Sequence, residues 1–210
     1  SLDRLLILAW LDEPEYQLGC YSLALMVGTQ LFGLANMLSI PFTPHCSELF
    51  GRTGSRREAA RLTARASELQ IMAMGLLGGL TILLVPPVLG YLLPEYHRGL
   101  AAMRLSVPGV LLLGLTAPLS QYLVAVNRPQ RGLIAVAIAA IVGIAGNYAA
   151  VRLGAGLEGI ALATGIAYGV YWAVLSTVSI CQELTPREAG RYAVVTVLGT
   201  SPSVIIALVI

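Results

Sequence analysis

The chain contains no lysine, only two histidines, and no charged residue at all within any of its long apolar runs. Each scarcity excludes something. With 11% charged and 57% apolar residues and a mean hydropathy of +0.79, a soluble domain of 210 residues would lack the polar surface to cover itself. The net charge of +2 is spread over loops instead of forming a basic patch, so nothing points to nucleic acid. The three cysteines, Cys20, Cys46 and Cys181, are too far apart for the short-range spacing of a zinc site or a redox pair, and read as small apolar helix residues. Paired carboxylates, a His/Asp/Glu cluster or a nucleophile beside a base would be needed for catalysis in a bilayer, and no such grouping occurs. No catalytic residue, metal or cofactor is therefore expected. Ser1 to Leu11 lacks the cleavage pattern of a secretory signal and reads as a truncated helix, and the chain as a fragment of a longer protein.

What is present is a rhythm. Six uncharged, mostly apolar runs span roughly residues 16 to 47, 69 to 94, 105 to 127, 132 to 151, 159 to 182 and 192 to 210. Each is about as long as the ~20 residues a helix needs to cross a bilayer. Peptide groups find no water in hydrocarbon, so such runs are stable there only as helices. The expected fold is all-α, a polytopic transmembrane bundle of about six full helices plus a truncated first one.

Threading the helices alternately places Arg52, Arg56, Arg57, Arg61, Arg65, Arg128, Arg131, Arg187 and Arg191 on one side, and Arg98, Arg104 and Arg152 on the other. By the positive-inside bias, the first side is cytoplasmic. Residues 48–70 read as an amphipathic cytoplasmic connector, with Ala59, Leu62, Ala66 and Leu69 on an apolar stripe beside Arg57, Arg61 and Arg65. Those three arginines can contact anionic lipid at about 1 kcal/mol each, or simply be the solvated face of a connector.

Prolines punctuate the helices. Pro41 and Pro44 are expected to end the first full helix, Pro86-Pro87 to interrupt the second, and Pro108, Pro118 and Pro202 to kink later ones. Gly75/Gly79 and Gly165/Gly169 have the small-xxx-small spacing that lets helices approach closely. Tyr91, Tyr192 and Trp10 are placed as interfacial anchors.

The polar residues within the helices are neutral. The amides Asn36, Gln121 and Asn147 should face the bundle or a wet cavity, and with Tyr168 they are candidates for lining a substrate path. Interhelical hydrogen bonding is the competing role, at around 0.6 kcal/mol each. Asp3 and Arg4, the one charged pair heading an apolar stretch, fit either the mouth of a cavity or a headgroup flank. His45 fits either proton coupling near neutral pH or a satisfied interfacial position.

The order of these local signatures resembles the C-terminal half of the polysaccharide and oligosaccharide-lipid flippases, a branch of the MATE-like superfamily. The matching stretches are Asp3-Arg4 opening a helix; Gln17 to Ala24 after an acidic loop; Leu93-Pro94-Glu95-Tyr96; Tyr122 to Asn127 before a basic turn; Gly146-Asn147-Tyr148; and Gly156 to Thr164. Together they run over most of the chain. The resemblance implies that residues 1–210 are the C-terminal lobe of a two-lobed, alternating-access transporter in the cytoplasmic membrane. Such a protein works with an N-terminal lobe, membrane lipids and a lipid-linked oligosaccharide substrate, often coupled to a proton or sodium gradient. In those flippases arginines in the cavity contact the diphosphate and sugar, a role that would fall to Arg4. Exporters of drugs share the fold, and a cation-coupled small-molecule exporter remains the nearest alternative. A membrane-embedded enzyme of polysaccharide assembly would need a charged catalytic loop elsewhere.

Overall fold

A computed structural model describes residues 14–92, 94–96 and 99–209. Among them the chain is helical apart from short links, with no strand. The helices are α1 (Pro14–Ser39), α2 (Phe42–Thr53), α3 (Arg56–Leu92), α4 (Gly99–Gly114), α5 (Thr116–Ala125), α6 (Gln130–Arg152), α7 (Gly156–Ser176) and α8 (Pro186–Val209). A 3-10 turn at Pro94–Tyr96 precedes α4, and a π-helical turn at Thr177–Cys181 extends α7. Taken with these continuations, six helical segments are long and apolar enough to cross a membrane, which makes this a multi-pass membrane protein.

The boundaries follow from local chemistry and correct two expectations. The first helix stops at Ser39, and α2 begins at Phe42 after a two-residue link. Pro44 then sits in the first turn of a new helix, where an amide donor is dispensable. Residues 48–70, expected as one amphipathic connector, are divided. Gly54 takes a left-handed φ of 63° and donates its N–H to the Phe50 carbonyl at 2.8 Å, closing α2. Ser55 Oγ accepts the Glu58 N–H at 3.3 Å and opens α3, which runs without interruption from the arginine cluster to Leu92. Within this stretch the buried face of α3 shares only Ala59 with that apolar stripe. It comprises Ala59, Ala60, Thr63, Ala64, Ser67 and Gln70, whereas Leu69 is 71% exposed.

Pro86-Pro87, Pro108 and Pro202 lie inside continuous helices. Pro41 accompanies the break between α1 and α2, and Pro118 the one that divides the third span into α4 and α5 around Leu115.

The third span, α4 with α5, is the most buried. Helix α4 packs against α1 and α7 and also meets α3 and α8, while α6 lies on α7 and α8 on α3. Glycines set the closest crossings. A Cβ on Gly109 would come within 2.5 Å of the Gly165 Cα, and one on Gly75 would collide with the Gly199 carbonyl. Gly79 and Gly169 have only ordinary side-chain neighbours, so one glycine of each expected pair carries the close approach.

Charged contacts collect where α3 and α8 begin. Arg61 Nε donates to Glu188 at 2.7 Å, Arg57 lies 3.9 Å from the same carboxylate, and Arg191 makes a two-pronged contact with Glu68 at 2.6 and 3.2 Å. Thr185-Pro186-Arg187-Glu188 forms a capping box, with Glu188 accepting the Thr185 N–H at 2.9 Å and Thr185 Oγ1 accepting the Glu188 N–H at 3.4 Å. Arg131, at the start of α6, donates to the Val178 carbonyl at 3.2 Å and to Gln182 Oε1 at 2.8 Å, bracing the π-helical turn. At the opposite end the Tyr16 hydroxyl donates to the Glu95 carbonyl, and Tyr16 and Gln17 line a hollow with residues 154–158. The two ends of the bundle thus differ in charge as alternate threading requires. Tyr91 is exposed, whereas Tyr192 is buried within the protein and accepts the Trp172 Nε1–H at 3.2 Å.

Candidate functional site

Two cavities lie between the helices on either side of α7. The larger, about 780 Å³, is a half-open groove bounded by α6, α7 and Leu113 of α4. Its walls are mostly aliphatic, from Val136, Ala139, Ala140 and Ile144 on α6 to Ala167 on α7, with polar atoms from Asn147, Tyr148, Thr164, Tyr168 and Tyr171. The smaller, about 230 Å³, sits among α1, α4 and α7 and carries Tyr21, Thr29, Ser106, Thr164 and Tyr168. Leu113, Thr164 and Tyr168 border both, so the cavities meet there.

The local sequence explains how these side chains come together. Helices α6 and α7 form an antiparallel hairpin around Gly154 and Gly156, both at positive φ (68° and 57°), conformations that glycine adopts without a Cβ penalty. Small residues at matched heights, Gly143 against Ala167 and Gly146 against Ala163, hold the two helices close. The same register brings Thr164 Oγ1 to Asn147 Oδ1 at 3.4 Å. Asn147 is 4% exposed, so its amide is paired across the hairpin instead of left bare in an apolar wall.

Of the expected path residues, Asn147 and Tyr168 therefore share one cavity. Asn36 does not join them, because its Nδ2 turns back to the Phe32 carbonyl on its own helix at 2.9 Å. Gln121 lies on α5 with a buried Oε1 that has no hydrogen-bond partner, and it lines neither cavity. His45 is exposed and pairs through Nδ1 with the Pro41 carbonyl at 2.8 Å. Arg57 and Arg61 face Glu188 on α8, whereas Arg65 is exposed and makes no salt bridge among the described residues. Asp3 and Arg4 lie outside the described residues.

A buried amide escaped the sequence reading. Pro118 has no N–H, so the Gly114 carbonyl loses its helical donor. Gln70, 6% exposed on α3, supplies one: its Nε2 lies 3.1 Å from the Gly114 carbonyl and 3.0 Å from the Ala35 carbonyl on α1. Ser39 Oγ donates to Gln70 Oε1 at 3.0 Å. Three helices are tied by one amide. Thr164 was also missed as a cavity residue, although its distance from the Gly154–Gly156 turn is within one residue of that of Asn147 and could have paired the two.

Among the described residues no three His, Cys, Asp or Glu side chains approach closely enough to hold a metal ion. Compared with known proteins, the chain matches no family model, no curated sequence and no solved structure.

Proposed function

We propose that this chain is a transmembrane lobe of a transporter that moves a lipid-linked oligosaccharide across the cytoplasmic membrane by alternating access, without covalent chemistry. The observation that carries the reading is the junction at Thr164 and Tyr168, where a small cavity with hydroxyl groups meets a large apolar groove open to the side. A hydrophilic head attached to a long apolar tail needs both environments side by side. The resemblance of the motifs to the oligosaccharide-lipid flippases supplies the substrate class, and a second lobe of the same protein would complete the polar path. A proton or sodium ion is the expected coupling ion. None of the described residues lining either cavity is acidic, which weighs against a cationic small-molecule cargo.

The test is mass spectrometry of lipid-linked sugars in cells lacking the full-length gene, with the outer leaflet probed separately. Build-up of a polyprenyl-linked repeat unit on the cytoplasmic side supports the flippase and identifies its cargo. A normal lipid-linked pool would move the assignment to small-molecule export, and loss of the lipid-linked product itself would point to an enzyme.

A further inference from the structure

The groove between α6 and α7 is graded along its length. From Val136 to Ile144 its wall on α6 is aliphatic; then come Asn147 and Tyr148, with Thr164 opposite. One turn further stands Arg152, at the end away from the arginine cluster. Its Nε donates to the Tyr148 hydroxyl at 2.9 Å, and its guanidinium carbon lies 5.3 Å from the centre of the same ring. From Val136 to Tyr148 the wall is about 18 Å long at the helical rise, close to the ~15 Å of hydrocarbon in one leaflet. Ile141 and Ile144 are 68% and 52% exposed, so the groove has an apolar lip on its lipid-facing side.

An aqueous path would need polar groups along its whole length, and this wall carries them only toward one end, where Tyr148 holds Arg152 beside the groove. This gradation is that of a membrane lipid with an acidic headgroup. We propose that the groove seats one hydrocarbon chain of a phosphate-bearing anionic lipid, with the phosphate at Arg152, in the leaflet opposite the arginine-rich end. Arginine suits the role because its planar fork pairs with phosphate oxygens while the Tyr148 ring and hydroxyl hold it in place. The inference rests on the transport reading for its purpose, since under that reading the seated chain is the tail of the carrier lipid.

The test uses the full-length protein in phosphatidylcholine vesicles doped with a long-chain lipid phosphate that carries a diazirine in its chain; a zwitterionic analogue serves as the control. Photolabelling is expected to favour Ala140 and Ile144 over the lipid-facing positions Leu133 and Ile138 by about fivefold, the factor one arginine near a membrane surface provides. Arg152→Gln should remove that preference and Arg152→Lys restore part of it. Ala140→Trp, which fills the groove without touching the charge, should also abolish it, whereas Ile138→Trp should not. Equal labelling of groove and outer face, or a preference unchanged in Arg152→Gln, would overturn the proposal in favour of ordinary boundary lipid. Labelling absent from the groove alone would also overturn it and assign the face to a protein partner. Translocation of a lipid-linked oligosaccharide is followed in the same vesicles: groove preference without translocation overturns the transport reading and leaves the seat, and translocation without preference does the reverse.

Discussion

The two faces of α3 are built from opposite materials. The buried face is mostly small or polar, with Ala59, Ala60, Thr63, Ala64, Ser67, Gln70, Gly75, Gly78 and Gly79 beside only three large apolar residues, Ile71, Met74 and Ile82, while the face turned outward carries Leu69, Met72, Leu76, Leu80 and Leu84. In a soluble bundle the large apolar residues would be inside. Here the surroundings are as apolar as leucine, so no transfer free energy is gained by moving a leucine from the outside to the inside. What the interior offers instead is close backbone approach and hydrogen bonding. Most residues that go inside are small enough to permit the first or polar enough to need the second, with Ile71, Met74 and Ile82 filling the space between them.

That contrast is broken most severely by adding bulk where backbones touch. Gly75→Val would drive side-chain atoms into the Gly199 carbonyl of α8, and backbone cannot move aside as a flexible side chain does. The expected cost is at or above the ~3 kcal/mol upper end for overpacked cores. Thermal unfolding of the purified protein in detergent, with membrane abundance as a second readout, should show the loss. Gly190→Ala, whose added carbon meets nothing within 4 Å, should leave both unchanged. An equally stable Gly75→Val protein would mean that α3 and α8 do not approach as described.

The next effect comes from the buried amide. Gln70→Leu keeps the approximate volume and raises hydrophobicity, a change that a soluble core would often tolerate. In this bundle it strips the Gly114 carbonyl of the donor that replaces the missing Pro118 N–H, while Ser39 Oγ keeps only the Ala35 carbonyl on its own helix as acceptor. Unsatisfied buried groups cost about 1–3 kcal/mol each, so destabilisation of that order is expected in the same unfolding assay. Restoring a helical donor by Pro118→Ala should recover part of it. Additive effects of the two substitutions would show that the Gln70 contact does not depend on the proline break.

These relationships also explain which features could be read from the sequence. The number of spans was legible because bilayer thickness alone fixes their length, and the segregation of arginines to one end was legible because it depends on loop parity. Helix boundaries at residues 39–42 and 53–56 were displaced, since Pro44 is compatible with a first helical turn and Gly54 terminates a helix only when it adopts positive φ. The stripe Ala59, Leu62, Ala66, Leu69 was legible as apolar, but the face that packs on protein was not, because hydrophobic periodicity points toward the core in water and toward lipid in a membrane. Asn147 and Tyr168 were identifiable as polar residues in apolar surroundings. Gln70 was not, because its partner is a carbonyl freed by a proline 48 positions away, a relation that only the packing of α3 on α4 creates.

The smallest expected effect is the sharpest test of the contrast. Leu76 is 67% exposed on α3, one residue from Gly75, and Leu76→Ala removes most of its side chain. If the outer face contributed to stability as a soluble surface or core does, the loss of buried area would register at about 25 cal/mol per Å². Against lipid tails the removed contacts are made by hydrocarbon in both the folded bundle and the separated helices, so they cancel. Leu76→Ala should therefore shift the unfolding midpoint in lipid vesicles far less than Gly75→Val, although it deletes atoms where the glycine substitution adds them. A large loss from Leu76→Ala would place that face against protein, identifying it as the surface on which another lobe or a second copy packs.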